Sequence, residues 1–208
     1  MNTLFKHTLA ASVLSTMLVG TAFAAPTEKP DEFVKKVADN LIKRLNAESK
    51  ANNLKKPDVI RDIVQDNLEP HLDARGFTKF VMGANGKDAT PQMVTQFENN
   101  LRESLIRTYG SALGKFNGQT YKIKPSKYVA NAKTANVSIE FDPKGDRIPV
   151  TFHLVDINNQ WKVRNMKVSG VDLGVQFRTQ FSSAVKSQGS LQKAINNFKP
   201  NADNAIKK

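Results

Sequence analysis

The side chains that most often carry chemistry in proteins are few in this sequence. It contains no cysteine, which excludes disulfides, thiolate metal sites and cysteine nucleophiles. Two histidines, His71 and His153, lie beyond the N-terminal leader described below, and neither belongs to a recognisable motif. The carboxylates Asp62, Asp66 and Glu69 recur at helical spacing, which is typical of a solvated helix face. The sequence has no His/Asp/Glu spacing typical of a zinc site, no Gly-x-Ser-x-Gly nucleophile elbow and no phosphate-binding glycine loop. It therefore predicts no catalytic residue, no metal and no cofactor.

The first 24 residues have the order of a secretory signal peptide. Lys6 supplies the positive segment, Leu9 to Val19 the apolar segment, and Ala22-Phe23-Ala24 a small-residue cleavage site. The apolar segment has about half of the roughly twenty residues that a membrane-spanning helix needs. We therefore expect residues 1–24 to be removed after Ala24 and the product to reach the periplasm.

The chain that remains has the length and charge of one basic domain. We expect residues 25–200 to form a single domain and residues 201–208 a flexible tail. The formal net charge of the full sequence is +12, from 31 Lys and Arg against 19 Asp and Glu. Export excludes nucleic acid as a partner and leaves anionic phospholipid head groups or acidic docking proteins. Because the basic residues are spread along the chain, simple solubility explains the charge equally well.

Helical periodicity dominates the part of the chain before Gly118. Apolar residues recur every three or four positions from Phe33 to Leu45, after Pro57, and again between His71 and Gly83. The longest pattern begins at the N-cap pair Thr90-Pro91 and places apolar residues at strict four-residue spacing, namely Met93, Phe97, Leu101, Leu105, Tyr109 and Leu113. Since 3.6 residues make a turn, this stripe winds around the helix and predicts contacts with several neighbours.

After Gly118 the period changes from helical to two. Alternating apolar residues predict four strands, represented by Tyr121 and Ile123, by Val137, Ile139 and Phe141, by Val150, Phe152 and Leu154, and by Trp161, Val163, Met166 and Val168. Within the last strand the apolar residues change from odd positions to even positions, which predicts a bulge near Arg164-Asn165. A further helix then carries Leu173, Phe177 and Phe181 and ends near Gly189, and Ser190 caps a last helix. The order predicts an α+β fold, a curved four-stranded antiparallel sheet with helices on one face.

Two parts of the sequence resemble one known family, the periplasmic phospholipid-binding proteins called MlaC or Ttg2D, of the pathway that maintains outer-membrane lipid asymmetry. The first part runs from Ala89-Thr90-Pro91-Gln92 through Phe97, Leu101 and Tyr109 to Leu113, Phe116 and Gly118-Gln119-Thr120-Tyr121. The second runs from Trp161-Lys162-Val163 through Val168, Gly170-Val171 and Phe177-Arg178 to Phe181 and Gly189-Ser190-Leu191. One departure is Asn85-Gly86, where the family carries an aromatic residue shortly after a Leu-Gly pair.

The resemblance implies a fold, a cargo and partners. The implied fold is NTF2-like and encloses an apolar pocket for the tails of a glycerophospholipid. The implied partners are an inner-membrane ABC transporter complex with an MCE-domain subunit and an outer-membrane lipoprotein with its porin, which a monomeric carrier connects. On this hypothesis the pocket is lined by Phe97, Leu101, Leu105, Ile139, Phe141, Phe152, Trp161, Val163, Met166, Val168, Val171, Leu173, Phe177 and Phe181.

Two alternatives to a lipid carrier stay open at the level of sequence. Each of these apolar residues could equally belong to a solid core, and the protein would then be a protein-binding adaptor without lipid. An exported NTF2-like enzyme would need a carboxylate or histidine buried at the base of the pocket, and the sequence indicates none.

Overall fold

The computed structural model describes residues 28–126, 128–142 and 147–201, which form six α-helices and five β-strands. The helices are α1 (Pro30–Lys50), α2 (Pro57–Asn67), α3 (Ala74–Met82), α4 (Pro91–Gly114), α5 (Leu173–Gln188) and α6 (Leu191–Asn197). The strands are β1 (Thr120–Ile123), β2 (Thr134–Asp142), β3 (Ile148–Ile157), β4 (Gln160–Val168) and β5 (Val171–Asp172). The predicted signal peptide and residues 202–208 of the predicted tail lie outside the described residues. Within the described ranges no helix has the length and apolar character needed to cross a membrane.

Proline and capping side chains determine where the helices begin. α1, α2 and α4 each start on a proline, whose fixed φ suits the first helical position. The Thr90 hydroxyl accepts a hydrogen bond from the Met93 N–H at 3.2 Å, and Asp73 caps α3 by accepting from the Gly76 N–H at 2.9 Å. α5 ends at Gly189 with a left-handed φ of +63°, as the sequence predicts.

The strands form one antiparallel meander in the order β1-β2-β3-β4-β5. The sheet therefore has five strands where the sequence predicts four. The additional strand, β5, turns back on β4 through Ser169 and Gly170, both of which have positive φ. Because β5 has only two residues, no alternating pattern could reveal it in the sequence.

β4 contains the predicted bulge. His153 of β3 pairs with Asn165 of β4, but the next residue, Leu154, pairs with Val163, so Arg164 is an extra residue on β4. The bulge confirms the irregularity predicted near Arg164-Asn165. It also places the odd-numbered apolar residues before it on the same sheet face as the even-numbered ones after it.

The sheet has one apolar face and one polar face. Cross-strand rows on the apolar face are Tyr121, Phe141 and Ile148; Ile123, Ile139, Val150, Val168 and Val171; Val137, Phe152 and Met166; and Leu154 with Val163. The polar face carries Asn136 bonded to His153 at 3.1 Å and Ser138 bonded to Thr151 at 2.8 Å. α1 lies across the apolar face through Phe33, in agreement with helices on one face of the sheet.

The buried apolar residues form three separate clusters. The helical cluster joins α3, α4, α5 and α6 through Val81, Met82, Val94, Phe97, Leu101, Phe177, Phe181, Ala194, Ile195 and Phe198. The sheet cluster joins α1 to the apolar face through Phe33, Val34, Val137, Ile139, Leu154 and Trp161. A third cluster joins α1, α2 and the end of α4 through Leu45, Leu54, Ile60, Ile63 and Phe116. α4 contributes to the first and the third, as its winding apolar stripe predicts.

Candidate functional site

The fourteen residues predicted to line a pocket separate into two groups by burial. Six are fully buried: Phe97, Leu101, Ile139, Trp161, Phe177 and Phe181. Eight are half-buried: Leu105, Phe141, Phe152, Val163, Met166, Val168, Val171 and Leu173. The structure therefore divides the predicted lining into residues that already have complete apolar surroundings and residues that keep part of their surface accessible.

The fully buried residues on the helices belong to solid packing. The Phe97 and Phe181 rings have centroids 4.3 Å apart, and Phe198 lies 5.6 Å from Phe97 and 5.4 Å from Phe181. Phe177 meets Phe77 edge to face at 6.3 Å. Such ring pairs fill the helical cluster from within, so Phe97, Phe177 and Phe181 are core residues.

The half-buried residues concentrate on one part of the sheet. We call this part the half-covered patch and define it as Phe141, Val150, Phe152, Met166, Val168 and Val171. The register places Phe152 beside Met166, and Val150 beside Val168, with Val171 opposite Val168 on β5. α1 buries the neighbouring Val137 and Leu154 completely, but every residue of the patch keeps some exposure. The alternation that predicted its other members also marks Val150 and the nearby Ile148, which the predicted lining omitted.

The half-covered patch lies next to the helical cluster. The chain passes from Val171 in the patch to Leu173, which packs against the helical cluster, within two residues. Gly174 adjoins Phe80 of α3, where an added Cβ would lie 2.8 Å from the Phe80 ring. No described residue is a buried member of both the helical and the sheet cluster. The two apolar clusters are therefore built from different buried residues beside the patch.

Two open concavities of the described surface lie elsewhere. One, of about 480 Å³, lies over the polar side of α4 at Pro91, Gln92, Thr95, Gln96 and Asn99. The other, of about 710 Å³, lies along α1 between Asp39 and Lys50. Neither includes any of the fourteen predicted residues, so the expected pocket is not one of these two open concavities.

Two titratable side chains lie near the apolar face, Asp156 in an ion pair and His71 in a ring contact. Asp156 pairs with Trp161 across the strands and is buried, but its Oδ2 accepts from the Lys133 ammonium at 2.6 Å. Asp156 lies near the end of a strand beside a turn, a position where sequence pattern does not predict a buried carboxylate side chain. His71 lies against the Phe33 ring at 5.7 Å, and burial, together with the nearby Lys162 and Lys36, lowers its pKa.

No catalytic constellation is visible in the part of the chain that the structure describes. His153 lies on the polar face, whereas His71 and Asp156 lie apart from the half-covered patch. Among the described residues no group of three or more His, Asp or Glu side chains is arranged to hold a metal ion. The feature with capacity for a ligand is therefore apolar: a sheet face that its helices cover only in part.

The fold and this site define an α+β protein in which helices pack on an antiparallel meander whose apolar face is partly exposed. The model of the MlaC protein family matches residues 35–199, and the chain belongs to that family. A relative from Pseudomonas putida, described as toluene tolerance protein Ttg2D, is 31% identical over 174 residues, which cover 82% of this chain and 80% of the relative.

A solved structure shows the same fold. It is the phospholipid-binding protein from Ralstonia solanacearum in complex with a phospholipid, and it superimposes with a TM-score of 0.75. The sequences are 23% identical, and the match covers 81% of this chain and 94% of that chain.

Proposed function

We propose that this protein is an exported, non-enzymatic carrier that holds the acyl chains of a glycerophospholipid against the half-covered patch. The observation that carries the proposal is the separation of the helical and sheet clusters beside a row of half-buried apolar residues. Large apolar side chains on a covered sheet face are normally buried completely. Phe152 and Met166 share a row with the fully buried Val137, yet both stay partly accessible. A hydrocarbon chain entering there completes their burial.

The relatives support this proposal by their names. The matching structure from Ralstonia solanacearum is a phospholipid-binding protein in complex with a phospholipid, and its shared fold supports the same class of cargo here. Family membership supports location in the periplasm and exchange with an inner-membrane MCE-domain transporter complex and an outer-membrane lipoprotein. The signal-peptide pattern in residues 1–24 supports export.

The free energy of transferring acyl chains agrees with reversible loading of a lipid carrier. Two acyl chains contain roughly thirty methylenes, and at about 0.8 kcal/mol each their transfer from water would exceed 20 kcal/mol, beyond ordinary non-covalent affinity. The relevant transfer starts from a bilayer, where the chains already lie in hydrocarbon. The net free energy is then small, so loading is reversible while escape into water stays slow.

A solid-core adaptor is the second candidate, and the ring packing of the helical cluster favours it. It predicts that the layers meet without cargo and that the half-buried residues contact a protein instead. The two candidates differ in what the purified protein contains.

Mass spectrometry of an organic extract separates them. The mature protein is purified without detergent, its concentration is measured by amino-acid analysis, and the extract is quantified against phospholipid standards. The carrier predicts about one phospholipid per chain. A protein that contains no phospholipid, and takes none up from vesicles of phosphatidylglycerol and phosphatidylethanolamine, would refute the carrier and support the adaptor.

A further inference from the structure

The bulge of β4 forms the main polar connection between the sheet and two helices of the helical layer. Its two residues reach in different directions: Arg164 bonds to Asp73, the N-cap of α3, and Asn165 bonds to Asp172, the N-cap of α5. We call these four residues the bulge clamp. Each half of the clamp joins the extra backbone of the bulge to the start of one helix.

The connection to α3 combines an ion pair with a backbone bond. Arg164 Nε donates to Asp73 Oδ2 at 2.5 Å, and the other carboxylate oxygen accepts from the Gly76 N–H at 2.9 Å. The Asp73 N–H donates to the Val163 carbonyl at 2.9 Å. The Asp73 side chain is 8% exposed, so this ion pair is screened less than a surface pair. An added Cβ at Gly76 would meet both partners, at 2.1 Å from Asp73 and 2.6 Å from Arg164.

The connection to α5 is a network around the Asn165 amide. Its Nδ2 donates to Asp172 Oδ1 at 2.7 Å, and the same oxygen accepts from the Val175 N–H at 3.0 Å. The Asn165 Oδ1 accepts from the N–H groups of Met166 at 2.8 Å and Gly174 at 3.0 Å. The bonds from the N–H groups of Met166, Gly174 and Val175 satisfy backbone donors at the bulge and at the start of α5. The amide of Asn165 supplies both the donor and the acceptor that this arrangement uses.

The two clamped helices pack on each other and form one wall. Arg178 of α5 donates Nε to the Phe80 carbonyl of α3 at 2.6 Å, and its guanidinium lies 3.8 Å from the centre of the Phe80 ring. Phe77 and Phe177 add an edge contact between the same helices. The wall formed by α3 and α5 is thus attached to the sheet next to Met166, the patch residue that follows Asn165.

We infer that Arg164 and Asn165 are positioning residues that set how closely this helical wall approaches the half-covered patch. The inference rests on the proposed function, because the space they control is the space proposed for the acyl chains. The buried residues of the helical cluster and of the sheet cluster are different residues, so the clamp supplies specific bonds at the place where the two clusters adjoin. Hydrogen bonds can set how closely the wall approaches, because their lengths and directions are narrow.

The test measures how fast bound lipid leaves. Wild type and variants are loaded with a fluorescent phosphatidylglycerol and mixed with acceptor vesicles of phosphatidylcholine, and the transfer rate is followed. We expect Arg164→Ala and Asn165→Ala each to release lipid about tenfold faster, as loss of a charged or doubly bonded contact implies. Asp73→Asn retains an oxygen for the Gly76 cap but weakens the Arg164 contact, and we expect an intermediate rate. Arg164→Lys keeps the charge and should rescue part of the effect.

Two controls separate positioning from general loss of stability. Gln160→Ala changes an exposed residue of the same strand and should leave the transfer rate unchanged. Ile195→Val trims the helical cluster away from the bulge, so it lowers the denaturant midpoint without accelerating release. The transfer rate of each variant is then plotted against its denaturant midpoint. If the clamp variants and Ile195→Val fall on a single line, release depends on stability alone and the inference is overturned. Wild type that carries no phospholipid would instead overturn the proposed function itself.

Discussion

Phe152 and Met166 show what a single residue contributes to the site. They form one cross-strand row with Val137, which α1 buries completely, yet both remain only half-buried. Period-two alternation predicted that all three face the same side of the sheet. It could not predict the difference in burial, because alternation identifies a face and not the helix that covers it. Helical periodicity has a corresponding limit on α4: it places Phe97 and Leu105 in one stripe but does not predict that Phe97 is fully buried and Leu105 half-buried.

A large side chain in the half-covered patch should exclude cargo. We expect Val168→Trp to fill the space beside Val150 and to lower the phospholipid content from about one per chain to a small fraction of that. The matched control is Val175→Trp, because Val175 is 50% exposed at the start of α5. Lipid content is measured by mass spectrometry of organic extracts, and circular dichroism verifies folding. Equal lipid content in both variants would contradict the assignment of the patch.

His71 should make stability depend on pH in the acid range. Burial beside Phe33, together with Lys162 and Lys36, lowers its pKa below the ordinary value of 6.5. The unfolded chain therefore takes up a proton before the folded chain does. The stability contribution is complete above about pH 6.5 and is lost as pH falls through the folded pKa.

Urea unfolding at pH 7.5, 6.5 and 5.5 measures this effect. Wild type should lose stability over that interval, and His71→Gln should lose less. His153→Gln serves as the control, because His153 lies on the polar face of the sheet, where it bonds to Asn136. An identical pH dependence in wild type and His71→Gln would show that His71 is not the responsible group.

At the scale of elements, α4 approaches α2 closely because it carries glycine at the contact. An added Cβ at Gly110 would lie 2.9 Å from Ile60 Cγ2, and one at Gly114 would lie 2.9 Å from the Leu54 carbonyl oxygen. The ion pair of Arg61 with Glu103, at 2.7 Å, joins the same two helices at their surface. The small residues thus allow the third cluster to close between α1, α2 and α4.

Bulk at Gly110 should separate these helices. Gly110→Leu gains about 1 kcal/mol of helix propensity, but overpacking against Ile60 costs about 1–3 kcal/mol and strains the third cluster. We therefore expect a net loss in the free energy of unfolding. Ala112→Leu adds similar bulk at an exposed position of α4 and should change stability by about 0.5 kcal/mol or less. Urea denaturation compares the two, and equal midpoints would contradict the close packing of α4 on α2.

The elements themselves were largely predictable, and the exceptions have physical reasons. Proline starts, the Thr90 and Ser190 caps, Gly189 and the bulge all follow from local chemistry, which a sequence contains. The helix expected from His71 begins instead at Ala74, because Leu72 and Asp73 extend along β4, with Leu72 bridged to Val163. Pairing with a distant strand is a tertiary effect that overrides local periodicity.

At the scale of the whole molecule, the central finding is that the helical layer and the sheet keep separate apolar clusters. Sequence patterns identified the apolar faces of both layers but not how those faces meet. The bulge clamp illustrates the difficulty: Asp73 and Arg164 are 91 positions apart, and nothing local links them. The fold class and the family could be predicted from the sequence, whereas the grouping of the buried residues into three clusters required the structure.

Methionine methyl groups provide the most direct test of where the acyl chains lie. The sequence beyond the predicted leader contains three methionines, of which Met166 belongs to the half-covered patch and Met82 and Met93 belong to the helical cluster or its edge. The protein is labelled with ¹³C-methyl methionine and loaded with a phospholipid carrying a spin label on one acyl chain. If the acyl chains lie against the half-covered patch, the Met166 methyl resonance broadens strongly, while those of Met82 and Met93 broaden much less. Equal broadening of all three, or broadening of Met82 with Met166 unaffected, would contradict that location of the acyl chains.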